Sequence, residues 1–392
     1  MDNNLKGGKL VATGSKTCIF NPNIRCKSNK HKKRDKKSIS KIAFGDKAEE
    51  LTNKEKEIND MIARIPGYKK WALIFNDLCK PPGYKDVLKI EKDMLKCLNE
   101  ESIYELHTDI QSKKDYLFDE NSTMLIGEYG GETLGSYFSK KFSDIDNVKD
   151  LEREFLKLMK KMKNMFKGLV DLQDYGISHL DIKQNNIIIS NNNFKFIDFG
   201  TSGKFNNVKH FLERGYHEFL TQRMYYWYPL EYIYASASNK ELQKEEEEIE
   251  EDGIHDYRKY MDLIIDIFEN VGIDIEVYIS ELIKKYKSMN RKEFYNNEYK
   301  DIIKKIDTYS FGMLIPFMLY NNDLLEYVGK SKLLTDFLNL FKFMIHPYHK
   351  DRININDAYI LFEKLLDKYS TKSKYLASKR SSKKKKSKKR RN

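Results

Sequence analysis

Residues 177 to 200 read Ile-Ser-His-Leu-Asp-Ile-Lys-Gln-Asn-Asn-Ile-Ile-Ile-Ser-Asn-Asn-Asn-Phe-Lys-Phe-Ile-Asp-Phe-Gly. A polar loop carrying His179, Asp181, Lys183 and Asn186 leads into the apolar run Ile187 to Ile189, which reads as a strand. The polar stretch Asn191 to Asn193 marks a turn, and a second strand, Phe194 to Ile197, delivers Asp198 back towards the loop. Two carboxylates, an amide and an ammonium thus meet at one end of a hairpin. Magnesium takes oxygen ligands, usually one or two carboxylates plus substrate phosphates, so Asp198 and Asn186 are candidate Mg²⁺ ligands. Asp181 is then available to orient a hydroxyl and accept its proton, while Lys183 neutralises charge on a moving phosphoryl group. The pattern is that of a phosphoryl-transfer site.

The ordered set resembles the catalytic loop and metal-binding motif of protein kinases. His179-Leu180-Asp181-Ile182-Lys183-Gln184-Asn185-Asn186 stands in place of H-R-D-L-K-x-x-N, and Asp198-Phe199-Gly200 is intact. A bare Asp-Phe-Gly is a weak tripeptide, equally at home in a turn after a buried strand; the spacing of the whole set carries the resemblance. The resemblance implies an α+β, two-lobed fold with a small β-rich N-lobe and a large helical C-lobe. It further implies ATP and Mg²⁺ as reactants and a protein Ser/Thr acceptor, since a lysine follows the catalytic aspartate by two residues.

Composition sets wider bounds. The chain of 392 residues is long enough for a two-lobed domain with extensions, and 40% hydrophobic with 13% aromatic residues argues for a folded protein. Cys18, Cys26, Cys79 and Cys97 form no CxxC pair and have no histidine at zinc-ligand spacing, so they read as reduced thiols of an intracellular protein. No apolar segment follows the start Met-Asp-Asn-Asn, and the longest apolar run, Phe311 to Tyr320, is too short to span a bilayer. The expectation is a soluble, cytoplasmic protein, with nucleus or virion as further compartments. The formal charge of +12 is mostly a property of the tail: Ser378 to Asn392 holds ten Lys or Arg and no acid, leaving about +2 for the rest.

Upstream, residues 9 to 44 resemble the start of a kinase small lobe. Ala12-Thr13-Gly14-Ser15-Lys16-Thr17-Cys18-Ile19 matches the glycine-rich phosphate-covering loop at one glycine, Gly14, with Ile19 at the position that would cover adenine. An ordinary hairpin turn is the bland alternative. The basic stretch Lys27 to Lys37 reads as a solvated loop. Ile39 to Phe44 alternates as a strand and resembles V-A-I-K, which would put Lys41 on the ATP phosphates, with Lys37 as the alternative alignment. A helix beginning near Glu49 buries Ile58, Met61, Ile62 and Ile65; Glu55 lies along that stripe and would orient Lys41, with Glu57 second. Strands are expected at Trp71 to Phe75 and Met124 to Ile126. The latter runs into Gly127-Glu128-Tyr129-Gly130-Gly131, which resembles the hinge whose backbone at Glu128 to Gly130 would bind adenine. Gly127 at the gatekeeper position predicts a deep pocket behind the base.

Downstream, Phe155, Leu158, Met159, Met162, Met165, Phe166, Leu169 and Leu172 repeat at helical spacing as core packing. Tyr228-Pro229-Leu230-Glu231 is similar to A-P-E, Arg352 to the arginine that pairs with that glutamate, and Asp307-Thr308-Tyr309-Ser310-Phe311-Gly312 to the start of the central helix, whose aspartate holds the catalytic-loop backbone around His179. Leu180 replaces the arginine that binds an activation-segment phosphate, arguing against control by such a phosphate. Met224 aligns with the substrate-binding threonine, and Thr221 lies three residues early. The kinase-like domain is expected over 9–370, with the N-lobe about 9–127, the C-lobe about 132–370 and a helical insert about 235–303 that opens on the solvated acidic run Glu245 to Asp252. The tail, 371–392, is expected to be disordered, with Lys379 to Arg391 able to meet nucleic acid or an anionic surface. The divergent glycine loop and Asn/Lys-rich composition look like kinases encoded by large DNA viruses. Two other readings compete with an active kinase: a nucleotide-binding pseudokinase scaffold, and a structural protein acting on nucleic acid through its tail.

Overall fold

The computed structural model describes residues 9–14, 17–28, 35–82, 121–221, 226–252, 261–270, 272 and 274–371. Two compact units emerge, one of residues 1–131 and 195–202, the other of 132–194 and 203–392. The chain leaves the second unit after Phe194 and re-enters it at Gly203.

The first unit is built on a five-stranded antiparallel sheet. Its strands are β1 (Lys9–Gly14), β2 (Thr17–Asn21), β3 (Ser38–Ala43), β4 (Phe75–Cys79) and β5 (Thr123–Glu128), in the order β1-β2-β3-β5-β4. Alternation along β2 buries Cys18 and Phe20 fully, and these pack with Ile24, Ile42, Phe44, Met124 and Ile126. Helix α1 (Ala48–Ala63) turns Ala48, Thr52, Glu55, Ile58, Asn59 and Ile62 inward at helical spacing. Glu49 and Glu50 complement the dipole of its first turn. The helix ends before Pro66, whose ring disfavours helical backbone at Ile65.

Two expectations are corrected here. Trp71 to Phe75 is not a strand: a 3₁₀ turn at Tyr68–Lys70 precedes it, and Leu73 and Trp71 exchange backbone hydrogen bonds with Phe196 at 2.9 and 2.8 Å, so β4 begins only at Phe75. The described cysteines are not reduced thiols. Cys26 and Cys79 form a disulfide that ties the segment after β2 to the end of β4, beside the backbone bond from Lys27 N to Lys80 O at 3.0 Å. Cys18 is disulfide-bonded as well, and Cys97 lies outside the described residues. Sequence spacing said nothing of this pairing because it is made across the sheet.

The second unit is mainly helical. Thr133 caps α2 (Leu134–Phe142), and Asn147 caps α3 (Val148–Asp174), whose buried stripe runs from Leu151 through the methionines to Leu172. Phe166 on that stripe meets Phe311 edge-on and stacks on Phe362. A short β6 (Ile177–Ser178) pairs with β9 (Gly203–Lys204), and β7 (Ile187–Ser190) forms a two-stranded sheet with β8 (Asn193–Phe196). Then follow α4 (Val208–Leu220), α5 (Leu230–Ser236), α6 (Asn239–Asp252), α7 (Met261–Asn270), α8 (Ile275–Lys287), α9 (Arg291–Asn297), α10 (Tyr299–Lys304), α11 (Ile306–Tyr320), α12 (Lys332–Met344) and α13 (355–371). Helix α11 is apolar on all sides and buried from Ile306 to Leu319, as befits the centre of a core.

The acidic run is not a solvated connection. It lies in α6, where Glu245 is buried and accepts from the Tyr234 hydroxyl at 2.9 Å, while Glu246 pairs with Lys287 of α8. Ile264, Ile265, Ile267 and Phe268 of α7 and Ile279, Leu282 and Ile283 of α8 are buried. The tail expectation falls outside the described residues, except Thr371, the last residue of α13. Among the described residues no helix is long and apolar enough to cross a membrane.

Candidate active site

In the first unit, Lys41 on β3 is 6% exposed and its Nζ lies 2.8 Å from Glu55 Oε2 and 2.7 Å from Asp198 Oδ1. Burial alone would lower the Lys41 pKa, but Asp198 and Glu55 together hold it well above the ordinary range. The Glu55 carboxyl is raised by burial first; the Asp198 charge adds to this and Lys41 opposes it. One buried ammonium is therefore shared by two carboxylates. The two alternatives lie elsewhere: Lys37 and Glu57 are both exposed.

Asp198 adopts the left-handed conformation, φ 63°, two residues after the end of β8. A non-glycine residue held there stores on the order of 1–3 kcal/mol, and such outliers gather at functional sites. Its side chain is 42% exposed, so carboxylate surface faces outward beyond the Lys41 contact. Gly200 follows because a Cβ there would press within 3.2 Å of Glu55 Oε2.

Other nucleotide-site candidates fall on the same sheet. Gly14 ends β1 and Ile19 is half-buried on β2, with Ser15 and Lys16 outside the described residues. Glu128 is exposed at the end of β5, and the Tyr129 N–H donates to Lys37 O at 2.7 Å, so that donor is already engaged. The deep pocket expected behind Gly127 is filled: a Cβ at Gly127 would meet the Phe75 ring at 2.9 Å and Ile74 O at 3.1 Å. A bulge between Phe75 and Asp77 lets Phe75 turn inward opposite Gly127.

In the second unit, Asp181, Lys183 and Asn186 come together on the loop before β7. Lys183 Nζ lies 3.0 Å from Asp181 Oδ1, and Asn186 Nδ2 donates to Asp181 Oδ2 at 2.6 Å and to the Asp181 carbonyl at 2.9 Å. The 3₁₀ turn Gln184–Asn186 curls the chain so that residues five apart meet. Asp307 of α11 accepts from the backbone of His179 at 2.6 Å and of Leu180 at 3.0 Å, fixing the loop from below; His179 is fully buried. Burial pushes the Asp307 carboxyl up, against His179 and these amides.

Glu231 and Arg352 form a buried pair at 2.8 Å, each 1% exposed. His349 supplies two further bonds to Glu231, from N at 2.9 Å and Nδ1 at 3.1 Å. The sequence reading gave His349, Phe75, Arg214 and Tyr228 no role at the site, placing Phe75 only at the end of a strand and Tyr228 only beside Glu231. Thr221 ends α4, and Met224 lies outside the described residues.

Residues 80–242 match the family model for the protein kinase domain. That match supports a place in the protein kinase superfamily and kinase activity in general. It takes in Glu128, Tyr129, His179, Asp181, Lys183, Asn186, Asp198 and Glu231, whereas Gly14, Ile19, Lys41, Glu55, Asp307 and Arg352 lie beyond it. No curated protein matches the chain.

Proposed function

We propose that this protein is a serine/threonine protein kinase that transfers the γ-phosphate of ATP to Ser or Thr hydroxyls of protein substrates. The observation that carries the reading is the buried Lys41 ammonium shared between Glu55 and Asp198, an arrangement suited to a polyanionic nucleotide. Lys41 would contact ATP phosphates, with Gly14, Ile19, Glu128 and Tyr129 bordering the nucleotide. Asp181 would accept the proton of the acceptor hydroxyl as its oxygen bonds to the γ-phosphorus. The bond to the bridging β–γ oxygen breaks and ADP leaves, while Lys183 offsets charge on the transferred group.

The carboxylate of Asp198 and the side-chain oxygen of Asn186 are donors of the kind that Mg²⁺ takes, with phosphate and water supplying the rest of its shell. Asp198 and Asn186 would be its protein ligands. When bound, the ion supplies neutralisation of phosphate charge. The Ser/Thr preference rests on Lys183 standing two residues after Asp181.

The test is Mg²⁺-dependent transfer from γ-labelled ATP to a generic protein substrate, followed by phosphoamino-acid analysis. Wild type should label serine and threonine, and Asp181→Ala and Asp198→Ala should each lose roughly a hundredfold or more. Folded wild type that binds ATP without transferring phosphate would replace this reading with a nucleotide-binding scaffold.

A further inference from the structure

Leu180 lies in the left-handed region, φ 61°, although it is bulky and fully buried. That conformation costs on the order of 1–3 kcal/mol and persists only where its surroundings enforce it. Both of its backbone polar groups are pinned: the N–H donates to Asp307 Oδ1 at 3.0 Å, and the carbonyl accepts from the Tyr228 hydroxyl. Tyr228 is 1% exposed, and its oxygen accepts from Arg214 Nε at 3.2 Å, with the guanidinium 5.8 Å from the ring centre. Arg214 is anchored in turn by Glu218, one turn along α4, at 3.1 Å, and Glu218 is itself buried.

The electrostatics run the same way. Burial disfavours the Arg214 charge, but Tyr228, Glu218 and Asp181 together raise its pKa further. Burial also raises the Tyr228 hydroxyl, which keeps its proton for Leu180 O. Leu180 offers no positive charge where the kinase resemblance would put a phosphate-binding arginine. Besides Lys183, a cation near the loop comes from Arg214, whose charge is met within the chain by Glu218 and the Tyr228 oxygen.

We propose that Arg214 and Tyr228 form a phosphate-independent clamp on the Leu180 carbonyl that positions Asp181 for proton transfer. This deepens the phosphoryl-transfer reading and rests on it for the catalytic consequence. Arg214 and Tyr228 are positioning residues: they act through the backbone of Leu180.

The experiment uses the full chain, phosphatase-treated, as wild type, Tyr228→Phe, Arg214→Lys and Arg214→Ala. It reads kcat, KM for ATP and hydrogen exchange of the amides of residues 179–182. Tyr228→Phe removes one oxygen and should keep the fold. It should lower kcat by about ten- to a hundredfold, the scale of a small misplacement of a catalytic group, with KM for ATP within about twofold. Exchange of the loop amides should quicken in the same variant. Arg214→Lys should lie closer to wild type than Arg214→Ala, and phosphatase-treated wild type should keep its full rate. Unchanged kcat and unchanged exchange in Tyr228→Phe would overturn the clamp, as would loss of activity on phosphatase treatment. Should wild type transfer no phosphate at all, the kinase reading fails by itself; exchange then decides the clamp, faster in Tyr228→Phe sustaining it and unchanged removing it.

Discussion

Replacing Arg352 with Met should produce a large stability loss in the second unit. The guanidinium is fully enclosed: Nη2 reaches Glu231 Oε1 and Pro347 O, both at 2.8 Å, and Nε reaches His346 O at 2.8 Å. Its removal strands a carboxylate that is 1% exposed and retains only the two bonds from His349. Breaking a buried pair in this way costs about 3–5 kcal/mol, a large share of the roughly 5–15 kcal/mol that a domain has in total. At a urea slope near 2 kcal/mol/M, the midpoint should fall by about 2 M. Glu231→Gln should cost less, since the amide keeps an acceptor for His349 N and the guanidinium keeps both carbonyls. Joint replacement, Glu231→Leu with Arg352→Met, should be milder than Arg352→Met alone, because no charge is left unpaired.

The reporter is built in. Trp71 and Trp227 are the two tryptophans, one in each unit, and Trp227 is 2% exposed. In a Trp71→Phe background, urea unfolding followed by fluorescence reads the second unit. An Arg352→Met loss below about 1 kcal/mol, or a double variant as unstable as the sum of its parts, would refute the reasoning. The pair should also shape acid stability. Burial raises the Glu231 carboxyl, yet Arg352 and His349 outweigh it and leave the pKa below the ordinary range. A depressed carboxylate contributes stability that is present above its unfolded value, about pH 4.3, and lost as pH falls through the folded one. Wild type should therefore lose stability below about pH 4.3 more steeply than Glu231→Gln, and equal slopes there would contradict the pairing.

Two further outcomes follow from the first unit. If Gly127 lies behind the adenine, Phe75 is what closes the space, so an N6-benzyl adenine nucleotide should bind Phe75→Ala at least about tenfold more tightly than wild type; wild type accepting that analogue equally well would show the space to be open. The Cys26–Cys79 crosslink spans a sequence separation of 53, for which chain entropy gives about 4 kcal/mol. Peptide mapping without reductant should recover the linked pair, and Cys26→Ser with Cys79→Ser should unfold at lower urea by Trp71 fluorescence; recovery of free thiols at both positions would remove the link.

What was readable in the sequence was what periodicity or local spacing encodes. Glu55 is separated from Glu57 by its phase relative to Ile58 and Ile62, and the structure buries Glu55 while leaving Glu57 in solvent. The Asp181–Asn186 contact is a five-residue matter settled by one 3₁₀ turn. Gly127 was equally visible, but its consequence was not, since the residue that fills the space comes from another strand through a bulge. Cys26 and Cys79 are joined by strand order, which no spacing rule expresses. Arg214 and Tyr228 escaped for a related reason. Arg214 sits on an ordinary amphipathic helix, and its role exists only because a tyrosine 14 residues on reaches the carbonyl of Leu180.

Helices α8 and α9 gain a physical rationale from the same pair of charges. An exposed ion pair contributes about 0–1 kcal/mol, whereas the Glu231–Arg352 pair is sealed. Tyr278 of α8 donates to Pro347 O at 2.6 Å, the same carbonyl that accepts from Arg352 Nη2. Lys305, just before α11, donates to the carbonyls of His349 and Arg352, both at 2.6 Å. Arg291 of α9 holds the Ala235 carbonyl at the end of α5, the helix that carries Glu231. Helices α9 and α8 are thus bonded at the two ends of the ion pair, to the helix that presents the acid and to the loop that presents the base. A substitution in α8 should consequently be felt at Arg352 although the two are far apart in sequence, because Tyr278 and Arg352 donate to one carbonyl and a shift of Pro347 O disturbs both bonds.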